Sequence, residues 1–290
     1  MPASALTFRD EYLRSGDGLE IRVRVAEVET PVADVVLTHG LGEYCGRYEH
    51  VAAAFATEGV RLWSYDLRGH GLSGGRRGDA VRYELLVEDL ARMVERARSD
   101  ANALFVMGHS LGGQITLSYL LEHGTNGLAG AVILSPWLRL AFLPPKWRVL
   151  LAKAALFVLP GLCQKTPSDA SQLSRDLEHL AAMPNPELCH DVISGRFFFA
   201  IEKAGARVLD RASELQLPIL LIHGAADSVT CPKATAILKD RAGSKDKTLI
   251  IYPEARHETH NDLGRERVLA DVTEWVTARA AGGAASVIAR

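Results

Sequence analysis

The chain has 290 residues, 48% of them hydrophobic, with 33 Lys and Arg against 35 Asp and Glu for a formal charge of -2. A chain of that length buries roughly three quarters of its unfolded surface, so a large core needs no external staples. The balanced charge excludes a broad electrostatic footprint for nucleic acid.

The first segment meets charge within ten residues and has no apolar h-region, which argues against a secretory signal. Within it, "EYLRSGDGLEIRVRVAEV" places a turn signal between two alternating runs, the pattern of an antiparallel edge hairpin. Short apolar runs then recur: "VVLTHG" ending at Gly40, "VRLWSYD" at Asp66, "LFVMGHS" at Ser110, "GAVILSP" at Pro136, "PILLIHG" at Gly224 and "KTLIIYPE" at Glu254. Each reads as a buried strand. Helical patterns follow most of them, over 48–59, 82–99, 114–122, 232–241 and 264–280. Alternation of this kind predicts an α/β domain with a mainly parallel central sheet and helices on both faces.

One interval breaks the rhythm. Residues 137–215 read as a helical cap inserted between a first core segment, 1–136, and a second, 216–281, with 282–290 as a loose tail. In the cap, Trp147, Leu150, Leu151, Ala154, Phe157 and Val158 share one helical face, with Arg148 and Lys153 elsewhere. That face either packs on the core or forms a lid that lines an acyl pocket or touches a lipid surface. No stretch is long enough to span a bilayer, since the most apolar, "AALFVLPGLC", has ten residues where about 20 are needed. Cys45, Cys163, Cys189 and Cys231 lack CxxC or zinc-type spacing and read as reduced thiols, which points to the cytoplasm.

Gly108, Ser110 and Gly112 form G-x-S-x-G, a pattern that occurs by chance in roughly one chain in ten of this length. Context raises its weight: a strand before and a helix after make the sharp turn that exposes a nucleophilic serine, with glycines where strand and helix come too close for Cβ atoms. A serine hydroxyl needs a histidine to take its proton and a carboxylate to orient that histidine. Asp227, just after "PILLIHG", is the expected acid, and His257, just after "KTLIIYPE", the expected base. His260 competes with His257, while Asp262 and Glu258 compete with Asp227 from within the base's own loop. The backbone N–H groups of Leu41 and Leu111 are the expected oxyanion donors.

With these residues in place, "HGLGEYCGRYEHVAAAF", "YDLRGHGLSGG", "GHSLGG", "LSPWL", "HGAADSVT" and "KDKTLIIYPEARHETHND" resemble the monoacylglycerol lipase and lysophospholipase group of α/β-hydrolases. The resemblance implies an α/β-hydrolase fold with a cap and the same trio and oxyanion hole. It also implies a lipid ester substrate, most often a monoacylglycerol, with a lysophospholipase or general carboxylesterase as the alternative, no cofactor, and peripheral contact with a membrane or micelle through the cap. It further implies a polar end for glycerol at Glu43, Arg47 and His260; against this, Glu43 and Arg47 would simply pair and hold their loop. Asp66, Arg68 and His70 read as braces between loops.

Other classes fit less well. The glycines at 40 and 42, followed by Asp66 after the next strand, mimic a dinucleotide site, but Gly46 falls one residue late for G-x-G-x-x-G. "HETH" is one residue short of H-E-x-x-H, so no metal is expected. An acyltransferase or a non-catalytic binding protein on the same fold completes the alternatives.

Overall fold

A computed structural model describes residues 6–99, 102–143, 145–156, 158–166 and 169–287. Its first elements are the expected antiparallel hairpin, β1 (Phe8–Arg14) and β2 (Glu20–Ala26). Then come β3 (Ala33–Thr38), α1 (Glu49–Thr57), β4 (Val60–Tyr65), α2 (Glu84–Ala97), β5 (Ala103–His109), α3 (Leu111–His123) and β6 (Gly130–Leu134). The region over the sheet carries α4 (Lys146–Ala155), β7 (Cys163–Lys165), α5 (Ala170–Leu173), α6 (Leu177–Ala181) and β8 (Val192–Ser194). The chain returns through α7 (Gly195–Asp210), β9 (Ile219–Gly224), α8 (Pro232–Arg241), β10 (Lys247–Tyr252) and α9 (Arg265–Val287).

Eight strands form one sheet in the order β1-β2-β4-β3-β5-β6-β9-β10, parallel from β4 to β10. Strand order reverses at β3, which lies between β4 and β5, so a crevice opens beyond the carboxyl ends of the central strands. Strands β3, β5, β6 and β9 are buried on both faces, which is why they read as continuous apolar runs. On one face Leu86, Leu90 and Met93 of α2 join Ile115 of α3 and Ile201 of α7. On the other, Val51 and Phe55 of α1 meet Val272 and Val276 of α9.

Four features depart from the sequence reading. Strand β10 is an edge, so its Thr248 and Ile251 are exposed rather than buried. Helix α7 falls within 137–215, yet Phe197, Ile201, Ala204 and Val208 bury into the main core beside α3. The cap proper holds a two-stranded ladder, β7 with β8, whose three-residue strands are too short to leave an alternating signature. Finally, α9 runs through Val287 and so takes in the first six residues of the expected tail, despite Gly282 and Gly283; residues 288–290 lie outside the described set.

Candidate active site

Strand β5 ends at His109, and the next residue turns sharply: Ser110 has φ 54° and ψ −117°, a region L-residues seldom occupy. Three backbone hydrogen bonds hold it there, Ser110 N–H to Leu134 O at 2.9 Å, Gln114 N–H to Ser110 O at 3.1 Å and Trp137 N–H to Ser110 O at 3.0 Å. The flanking glycines are sterically required. A Cβ on Gly108 would collide with Gly112 O and Thr116 Oγ1, and one on Gly112 with the carbonyls of Thr38 and His39.

Asp227 follows β9. Its Oδ1 accepts the N–H groups of Val229 at 2.7 Å and Thr230 at 3.0 Å, while Oδ2 accepts the Thr230 hydroxyl at 2.8 Å and His257 Nδ1–H at 2.8 Å. On the far side of the same ring, His257 Nε2 accepts the Ser110 hydroxyl at 2.9 Å. The structure therefore brings all three expected residues into one hydrogen-bonded line, each at least nine-tenths buried. Burial alone would raise the Asp227 carboxyl's pKa, but the His257 and His223 rings hold it well below the usual carboxylate range. For His257 burial pulls the pKa down, and the Asp227, Glu258 and Glu43 carboxylates overcome it to give a net upward shift.

The competing residues are committed elsewhere. Asp262 accepts the backbone N–H groups of Arg175 and Arg256, Glu258 receives a two-pronged pair from Arg47 at 2.8 and 3.0 Å, and His260 stacks on Tyr48 with ring centroids 4.9 Å apart.

For the oxyanion, Leu111 opens α3, where a helix leaves its first N–H groups without intrahelical acceptors. Leu41 sits in the loop after β3, and a Cβ on its neighbour Gly40 would lie 3.2 Å from Ser110 Cβ, so this loop borders the serine. His39 fixes the loop: its Nδ1–H donates to Gly40 O at 2.8 Å and its Nε2 accepts Leu67 N–H at 3.0 Å. Sequence reasoning gave no role to His39, His109, His223 or Thr230. Three of the four are histidines at or just past strand ends beside motif glycines, which was the available signal.

Glu43, Arg47 and His260 form a buried network behind the triad, and Arg47 also lines an open pocket with His50, His179 and Met183. Glu43 accepts from His109 Nδ1 at 2.9 Å and from the Tyr48 hydroxyl at 2.9 Å, and pairs with Arg47 at 3.4 Å. Glu43, His109 and His260 also present ligand atoms within 4.8 Å of one another, the one grouping among the described residues that could hold a metal ion. The Glu43 carboxylate there is already engaged by a guanidinium, a phenol and an imidazole. Because Arg47 serves both Glu43 and Glu258, Arg47→Ala leaves two carboxylates buried without their cation. The expected cost is about 3–5 kcal/mol of stability, read as a lowered thermal midpoint.

In the cap, Trp147, Leu150 and Leu151 are 60%, 70% and 61% exposed, so this face of α4 does not pack on the core. Phe157 lies outside the described residues. Asp66 receives Cys45 N–H and Leu72 N–H, and Arg68 grips Asp89 and Asp17, so both tie loops together. The His70 ring lies 4.4 Å, centroid to centroid, from His190 of the cap and 5.3 Å from His39.

Residues 29–264 match the model of the Hydrolase_4 family, described as serine aminopeptidase S33. The chain belongs to this α/β-hydrolase family. It is 34% identical to the monoacylglycerol lipase of Mycolicibacterium smegmatis, over 92% of this chain and 97% of that one. It is 31% identical to an uncharacterized abhydrolase domain-containing protein of Dictyostelium discoideum, of whose length it spans 28%. Among solved structures, the monoacylglycerol lipase of Paleococcus ferrophilus superposes with a TM-score of 0.79 at 30% identity, covering 89% of this chain and 99% of that one. As an α/β-hydrolase, the chain places Leu41, Ser110, Asp227 and His257 in loops beyond the carboxyl ends of β3, β5, β9 and β10. No helix among the described residues is long and apolar enough to cross a membrane.

Proposed function

We propose that the chain hydrolyses carboxylic esters of lipids, with monoacylglycerols as the main substrate. Ser110 attacks the ester carbonyl as His257 takes its proton, and Asp227 holds the imidazolium that results. The Leu41 and Leu111 N–H groups stabilise the oxyanion. His257 returns the proton to the departing alcohol, and water then attacks the acyl-enzyme by the same route. Every step uses side chains and amides of this chain, so the reaction calls for no cofactor. Glu43, Arg47 and His260 back the alcohol end of the site from behind.

The observation that carries this reading is the line from Ser110 Oγ through His257 to Asp227, at 2.9 and 2.8 Å. The substrate rests on the relatives named as monoacylglycerol lipases. A panel of long-chain monoacylglycerol, lysophosphatidylcholine, p-nitrophenyl esters of increasing length and an aminoacyl amide tests it. The highest kcat/KM is expected on long-chain monoacylglycerol; activity confined to acetate or to the amide would overturn the substrate.

The exposed apolar side of α4 suits shallow insertion into a lipid surface, which gives the protein peripheral membrane contact. Replacing Trp147, Leu150 and Leu151 together by serine is expected to abolish sedimentation with phosphatidylcholine vesicles. Unchanged sedimentation would mean that α4 does not dock there.

A further inference from the structure

His223 lies in β9, wholly buried, four residues before Asp227. Its Nε2 is 3.0 Å from Asp227 Oδ2, the same oxygen that receives His257 Nδ1–H. Its Nδ1 is 2.8 Å from Thr235 Oγ1 at the start of α8. With the Thr235 hydroxyl donating to Nδ1, the neutral ring carries its proton on Nε2 and points it at the carboxylate. Two imidazoles, one from β9 and one from the loop after β10, thus share one oxygen of the acid.

We propose that His223 is a positioning residue of the proton relay: by donating to Asp227 Oδ2 it fixes the carboxylate and divides its charge between His223 and His257. The proposal rests on the reading of Ser110, His257 and Asp227 given above and adds to it how the base is tuned. A carboxylate that spends part of its charge on a second donor stabilises the His257 imidazolium less. Removing the His223 N–H returns that charge to His257, whose proton then leaves at higher pH. The other groups around His257 are Glu43 and Arg47 from the loop after β3, His109 of β5, and Glu258 and His260 of its own loop. None of them touches His223 among the described hydrogen bonds, so they stay in place in the variant.

The test is the pH profile of kcat/KM on a soluble ester for the wild type, His223→Leu, His223→Gln and Thr235→Val. Leucine removes the donor. Its acid limb is expected to move up by roughly half to one pH unit, with kcat lower by roughly tenfold because the carboxylate is no longer held. Glutamine places an amide N–H near the position of Nε2 and is expected to restore both the limb and the rate. Thr235→Val keeps the ring but releases its tautomer, so its limb moves the same way by less; it carries the test if the leucine variant fails to fold. A folded leucine or valine variant with an unmoved acid limb overturns the proposal, as does equal impairment of the leucine and glutamine variants. Ser110→Ala runs alongside: retained hydrolysis there would defeat the relay reading itself, separately from any result at position 223.

Discussion

Ser110→Ala is expected to lower kcat by about three to six orders of magnitude while leaving the thermal midpoint within a few degrees of wild type. Alanine carries the same Cβ as serine, so the φ of 54° meets the same steric cost, and the three backbone hydrogen bonds around it do not involve the side chain. Only the hydroxyl that donates to His257 is lost. The activity that remains would come from substrate binding and the oxyanion amides, which still favour the tetrahedral geometry. Measured kcat on a long-chain monoacylglycerol, beside a melting curve, separates chemistry from folding. A folded variant with kcat within tenfold of wild type would remove Ser110 from the chemistry.

Asp227→Asn should cost about four orders of magnitude in kcat, for a reason that the local hydrogen bonds define. Two backbone N–H groups, from Val229 and Thr230, aim at Oδ1. They orient the asparagine so that its carbonyl takes the Oδ1 place and its NH2 the Oδ2 place, facing His257 Nδ1 and His223 Nε2. The His223 proton moves to Nδ1, and the Thr235 hydroxyl turns to accept it. His257 must then accept at Nδ1 and carry its proton on Nε2, where it can no longer take the serine proton. The same substitution shifts the pH dependence. In the wild type His257 holds its proton to higher pH than an ordinary imidazole, so the acid limb of kcat/KM is expected above about 6.5. Without the carboxylate's charge the limb falls. Linkage has two signs here: the raised His257 stabilises the fold below about 6.5 and loses that contribution as pH rises through its folded value. The depressed Asp227 stabilises it above about 3.9 and loses that as pH falls through its own. An asparagine variant with an unmoved acid limb would contradict this account.

The central strands were legible because burial on both faces demands unbroken apolar runs, and the ends of those runs located Ser110, Asp227 and His257. The glycines at 108 and 112 carried steric information that the structure bears out atom by atom. What stayed hidden was relational. Whether β10 is an edge depends on which strand follows it in space, and a six-residue apolar run reads alike either way. Helix α7 and α4 both have apolar faces, yet one buries Phe197 and Ile201 while the other exposes Trp147 and Leu150; no local pattern separates them. The engagement of Arg47 with Glu258 crosses 211 positions, and that of Glu43 with His109 crosses 66. The residues around the triad were marked only by histidines at strand ends; the roles of His39, His223 and Thr230 rest on hydrogen bonds that only the folded loops create.

The most direct measurement is active-site mapping by mass spectrometry after brief exposure to a fluorophosphonate, with residual monoacylglycerol hydrolysis followed in the same sample. Loss of hydrolysis in step with one adduct per chain, found on the peptide containing Ser110 and absent when His257 is replaced by alanine, is the predicted result. An adduct on another residue, or full hydrolysis with Ser110 fully modified, would contradict the account.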